Sequence, residues 1–81
     1  MEKLPKRIEI AIDEVSQELL WAFKNYPVMV SPHEGYAILK EEVDELWTEV
    51  KLKPGARNKI TMRKEALQCA AMAIRFMVDL T

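Results

Sequence analysis

The sequence predicts an all-α chain of three helices that assembles into an oligomeric helical bundle. Three observations carry this. Apolar residues recur at three- and four-residue steps through three long stretches. The stretches are separated by two proline-marked breaks, at Pro27 and at Pro54-Gly55. Finally, 49% of the 81 residues are hydrophobic and only two are glycine, a large apolar supply for so small a chain.

The first helix is expected over about 5–25, with Pro5 in its first turn, where a missing N–H costs nothing. Ile8, Ile12, Val15, Leu19, Ala22 and Phe23 form its apolar stripe. Ile10 and Trp21 fall off the stripe and suggest a second contact surface. The second helix is expected over about 32–52. Ser31 is its N-cap, Pro32 its first residue, and Glu34 the return member of a capping box, reaching back to the Ser31 N–H. Tyr36, Leu39, Val43, Leu46, Trp47 and Val50 give it one broad apolar face. The third helix is expected over about 58–80, capped by Asn58 or Thr61 and ended near Leu80. It is apolar around most of its circumference, which predicts burial at the centre of an assembly.

An 81-residue chain makes at most one domain, here the whole of 1–81. So small a domain buries only about 60% of its unfolded surface, which favours a dimer or tetramer. The 12 basic and 13 acidic residues leave a net charge of -1, without the positive field of a nucleic-acid binder. No apolar run reaches the roughly 18 residues of a membrane span. The N-terminal stretch carries Glu2 and Glu9 and has no apolar signal core. With a single cysteine, Cys69, these features suggest a cytoplasmic protein.

The chemistry lies in two acidic groups at helical spacing, Glu41-Glu42-x-x-Glu45 and Glu65-x-x-Gln68. Residues three apart share a helix face. If the second and third helices pack antiparallel, the stripe Glu42, Glu45, Glu49 faces the stripe Glu65, Gln68, Met72, Arg75, Asp79 across a groove. There the carboxylates could hold Mg²⁺, a hard cation that takes oxygen ligands. Acidic stripes are more often plain solvated faces. Two details favour a site: carboxylates at i and i+3 repel unless a cation relieves them, and the polar stripe of the otherwise apolar third helix contains Glu65 and Gln68.

The order of these motifs resembles the MazG-like superfamily of all-α nucleoside triphosphate pyrophosphohydrolases. The closer likeness is to its short, largely uncharacterised branch, some members of which are phage-encoded. The likeness runs from Ser31 to Leu80 and rests on Ser31-Pro32-His33-Glu34-Gly35-Tyr36-Ala37, the two acidic groups, and Gln68-x-Ala70-Ala71-Met72-Ala73-x-Arg75-Phe76. It implies that Glu42, Glu45 and Glu65 coordinate Mg²⁺, or alternatively Mn²⁺. Gln68 then stands where the superfamily has an aspartate. Glu41 is a nearby acidic group, and with Glu45 it is a catalytic candidate. The implied reaction cleaves a nucleoside triphosphate between the α- and β-phosphates. Lys40, Arg57, Lys59, Arg63 and Arg75 are candidate phosphate partners. The competing expectation is a non-catalytic oligomeric helical module that binds a protein partner.

Overall fold

The computed structural model describes residues 2–81, which form three α-helices: α1 (Lys6–Asn25), α2 (Pro32–Val50) and α3 (Lys59–Leu80). One 3₁₀ turn, Pro54–Ala56, interrupts the second link, and no strand occurs among the described residues. The predicted all-α, three-helix order is therefore present.

Local chemistry accounts for the ends. Pro5 sits just outside α1 as its N-cap, not in the first turn as expected; its carbonyl accepts from the N–H groups of Ile8 and Glu9. Ser31 Oγ accepts from the Glu34 N–H at 3.1 Å, as a capping box requires. The return half differs: Glu34 Oε1 accepts from the Val30 N–H at 3.2 Å, not from Ser31. The carboxylate thereby ties down the incoming chain one residue farther back. α2 ends at Val50, two residues earlier than expected, because Pro54 holds Lys53 extended (φ -58°, ψ 146°). Asn58 is the cap of α3, its side chain accepting from the N–H groups of both Ile60 and Thr61.

α3 is the central helix and packs against both others, while α1 and α2 do not pack on each other. α2 runs antiparallel to α3: Gly35 meets Phe76 and Leu80 at one end, and Glu42 and Glu45 meet Glu65 at the other. α1 runs parallel to α3. Glu14 takes a two-pronged hydrogen bond from Arg63, both contacts at 3.1 Å, and farther along Arg75 Nη2 donates to the Pro27 carbonyl at 2.8 Å. The core is small. Ala22, Met29, Ala71 and Met72 are buried, with Val15, Leu19, Ile38, Leu39, Phe76 and Leu80 packed around them. Met29 comes from the α1–α2 link, and its N–H donates to Asp79 at 3.0 Å, so the link closes over the core.

Two expectations about burial need correction. The buried side of α2 is rotated toward its acidic edge. Gly35, Ile38, Leu39, Glu42 and Leu46 face inward, whereas Tyr36, Val43 and Trp47 remain 63%, 47% and 59% exposed. Glycine permits the closest approach at position 35, and this draws that side of the helix onto α3. Second, α3 is central but not enclosed within one chain: only Ala71 and Met72 are buried, and Ile60, Met77 and Val78 are exposed. The chain exposes 6533 Å², against about 5,000 Å² for a compact protein of this mass. Its radius of gyration is 14.1 Å, where a compact chain of this length has about 12 Å.

The two glycines should respond oppositely to alanine. A Cβ at Gly35 would lie 2.5 Å from Leu80 Cδ1 and 2.7 Å from Phe76 Cδ2. Overpacking costs about 1–3 kcal/mol, more than the helix-propensity gain of about 1 kcal/mol, so Gly35→Ala should destabilise. A Cβ at Gly55 meets nothing within 4 Å, and its φ is not positive. Gly55→Ala should be neutral or stabilise by up to about 1 kcal/mol through the unfolded state. Urea unfolding of both variants reads the contrast; an unchanged midpoint for Gly35→Ala would mean that the Phe76 ring can move aside.

Candidate functional site

The antiparallel α2–α3 contact brings the acidic groups together. One carboxylate oxygen from each of Glu42, Glu45 and Glu65 lies within 4.8 Å of the others. Glu42 and Glu45 are one turn apart on α2, and Glu65 reaches them from the first third of α3. They line a groove of about 700 Å³ that runs along α3, with α2 on one wall and α1 on the other. Its size falls within the roughly 300–1,000 Å³ of ligand sites. Gln68, Met72 and Arg75 follow Glu65 along the floor, Ile38 and Glu34 continue the α2 wall, and Glu18 and Trp21 form the α1 wall.

The other candidates are placed as follows. Gln68 lies in the groove beside the three glutamates. Glu41 is exposed and outside the trio, though its charge still contributes to the field at Glu42. Of the candidate phosphate partners, Arg75 lines the groove. Lys40 pairs with Asp44 at 2.9 Å on the exposed side of α2, Arg57 donates to the Val50 carbonyl, and Arg63 holds Glu14. Lys59 is exposed and does not line the groove. Lys64 does line it, and its charge partly offsets that of Glu65. Sequence reasoning passed over Lys64; its position next to Glu65 was the available signal. His33 is exposed in the first turn of α2 and does not line the groove.

Convergence of like charges leaves an electrostatic mark. Glu42 is pushed up from 4.5 to about 7, first by burial against α3, then by the Glu45 charge and a proton shared with Glu45. The repulsion expected from spacing is thus present, but burial is the larger cause. Glu65 is also raised, by burial and then by the same interactions with Glu45. Burial, followed by the charges of Glu42 and Glu65, raises the half-buried Cys69 thiol. It therefore stays protonated and is a poor nucleophile.

Such a cluster has the composition to share a proton or to hold a cation. Its three oxygens are hard donors, close enough together to ligate one small divalent ion. Compared with protein-family models, curated proteins and solved structures, the chain finds no match. Among the described residues no helix is long and apolar enough to cross a membrane.

The Glu42 shift sets a pH dependence. Because the folded value, about 7, lies above the ordinary 4.5, the native state holds a proton that the unfolded chain has already released. The contribution of Glu42 to stability is full below about 4.5 and is lost as pH rises through about 7. In metal-free buffer the melting temperature of the wild type should fall across this window more than that of Glu42→Gln, whose amide does not titrate. Parallel pH profiles for the two proteins would contradict the assignment.

Proposed function

We propose that the protein is a MazG-like, divalent-metal-dependent nucleoside triphosphate pyrophosphohydrolase, working as a homo-oligomer. The observation that carries this reading is the convergence of Glu42, Glu45 and Glu65 from two helices within one groove. The motif order resembling that superfamily supports it.

The donor set suits Mg²⁺ or Mn²⁺. Ligands of an octahedral ion at about 2.1 Å lie roughly 3 Å apart when adjacent and about 4.2 Å when opposite; the three oxygens, within 4.8 Å of one another, would draw slightly closer around it. Glu42, Glu45 and Glu65 would hold the ion, with the Gln68 amide oxygen as a neutral fourth donor. Bound there, the ion supplies the positive charge that a polyphosphate needs and acidifies water. The remaining roles fall to the chain. Lys64, beside Glu65, would offset phosphate charge, while Arg75 lines the groove about 15 Å farther along α3. Glu45, with Glu41 as the other acidic candidate, would accept the proton of an attacking water. The water oxygen bonds to the α-phosphorus and the α–β bridge breaks, giving the nucleoside monophosphate and pyrophosphate. Gln68 cannot accept a proton and adds no charge, so the reaction should be slow.

The extent of exposed surface supports the oligomer. The chain exposes about 1,500 Å² more than a compact protein of its mass. Burial of that area on each protomer falls within the roughly 2,000–5,000 Å² total of obligate homodimers. Helical spacing puts Tyr36, Val43 and Trp47 on the edge of α2 opposite Glu45. Ile8, Ile12, Val15, Leu19, Ala70 and Ile74 line a second apolar depression between α1 and α3. A second copy, in a dimer or tetramer, covers these surfaces and leaves the acidic groove open. The same exposed surface supports the alternative of a non-catalytic helical module that binds a protein partner.

Metal and activity separate the two readings. At Mg²⁺ or Mn²⁺ about a hundredfold above its dissociation constant, linkage adds about 2.7 kcal/mol of stability. Thermal melts of the wild type should rise with metal, Gln68→Asp should rise more, and Glu45→Gln should not respond. Pyrophosphate release from a panel of ribo- and deoxyribonucleoside triphosphates should follow the same order. Metal-independent melting of all three proteins would leave the interaction module as the better reading. Sedimentation equilibrium should give a dimer or tetramer, and a 9.4 kDa species at micromolar concentration would refute the assembly.

A further inference from the structure

Resting on the nucleotide reading above, we propose that Trp21 is the platform on which the nucleotide base stacks, with Tyr26 and Arg75 positioning its indole. Trp21 falls off the apolar stripe of α1 and remains 50% exposed. It lines the same groove as Glu42, Glu45 and Glu65. Its orientation is fixed from one side. Trp21 and Tyr26 meet nearly perpendicular, at 80°, with centroids 5.3 Å apart. The Arg75 guanidinium lies 5.8 Å from the centre of the Tyr26 ring and is itself anchored on the Pro27 carbonyl at 2.8 Å. The chain Pro27–Arg75–Tyr26–Trp21 thus holds an aromatic ring at the groove wall and leaves part of its surface free. Tyr26 also lines the groove, and Ile38 and Met72 supply apolar surface close by.

The order along the groove matches the polarity of a nucleotide. Glu65 and Arg75 are ten residues apart on α3, about 15 Å along its axis. α1 runs parallel to α3 and sets Ala22, the neighbour of Trp21, in the core with Ala71 and Met72. Trp21 therefore stands partway down the groove, beyond the carboxylates, where a base lies when the phosphates are at Glu65. A protein partner that covered Trp21 would also have to desolvate Glu18, Glu34 and the glutamate trio around it, which disfavours plain interface packing.

The other tryptophan, Trp47, lies on the far edge of α2 and does not line the groove. In Trp47→Phe protein the fluorescence therefore reports Trp21 alone. With Mg²⁺ present, this protein is titrated with a nucleoside triphosphate carrying a non-hydrolysable α–β bridge, and separately with inorganic tripolyphosphate. The nucleotide should quench Trp21 and tripolyphosphate should not. Trp21→Ala should weaken nucleotide binding roughly 5- to 140-fold, the range of base–aromatic stacking, while leaving tripolyphosphate binding unchanged. Trp21→Phe should restore most of the loss. Equal affinity for both ligands with no effect of Trp21→Ala, or a loss in Trp21→Phe as large as in Trp21→Ala, overturns the platform and leaves the pyrophosphohydrolase reading standing. Failure of both ligands to bind overturns both.

Discussion

The rest of the structure depends on the close approach of α2 and α3 at Gly35. Without a Cβ there, the Phe76 ring and the Leu80 side chain lie against the α2 backbone. This contact sets the register of two antiparallel helices. Glu45 is ten residues beyond Gly35 on α2, and Glu65 is eleven residues before Phe76 on α3. At about 1.5 Å per residue the two distances nearly match, so the carboxylates arrive at the same level. One end of the pair is closed by apolar contact, and the other gathers the three carboxylates. The repulsion is tolerable because the groove is solvated and Glu42 can carry a proton.

The same geometry explains why so much of the chain is left bare. A central helix with one neighbour on each side has two open faces. One is the acidic groove, where polar side chains and water are compatible. The other exposes aliphatic residues of all three helices, and nothing within the chain covers it. Four buried hydrophobic residues among those described make a thin core for a domain that must offset the conformational entropy of ordering. The acidic groove and the uncovered apolar face thus lie on opposite sides of α3.

The helices were legible because their signals are local. The Ser31 cap and the Pro54 stop act within a few residues and are present, although the Glu34 return contact goes to Val30 and α2 ends two residues early; of the two caps the sequence offers for α3, Asn58 is the one used. The acidic stripes were legible as well, since spacing and an antiparallel hairpin suffice to bring them together. What the sequence did not show depends on contacts across the fold. The rotation of the α2 inner face follows from Gly35 meeting Phe76, forty-one positions away. The side of α3 taken by α1 is set by contacts far apart in sequence, such as Ala22 with Ala71 and Met72 and Glu14 with Arg63. Lys64 and Trp21 gain meaning only from the groove they line, because neither belongs to a periodic pattern of its own.

The direction in which α1 lies has a consequence for how the chain folds. α2 and α3 are joined by a short link and can pair as a hairpin as soon as both have formed. Every hydrogen bond that ties α1 and its link to α3 spans 48 to 50 positions in sequence: Glu14 to Arg63, Pro27 to Arg75, Met29 to Asp79. Closing loops of that length costs more entropy than closing the hairpin. α1 therefore docks last, onto a hairpin already in place. Until it does, the Ala71–Met72 surface is open to any α1 of the same sequence, including one from another chain. The late-docking helix is thus the natural element for exchange with a second copy, and its six-residue link, 26–31, decides whether the exchange is strained or free.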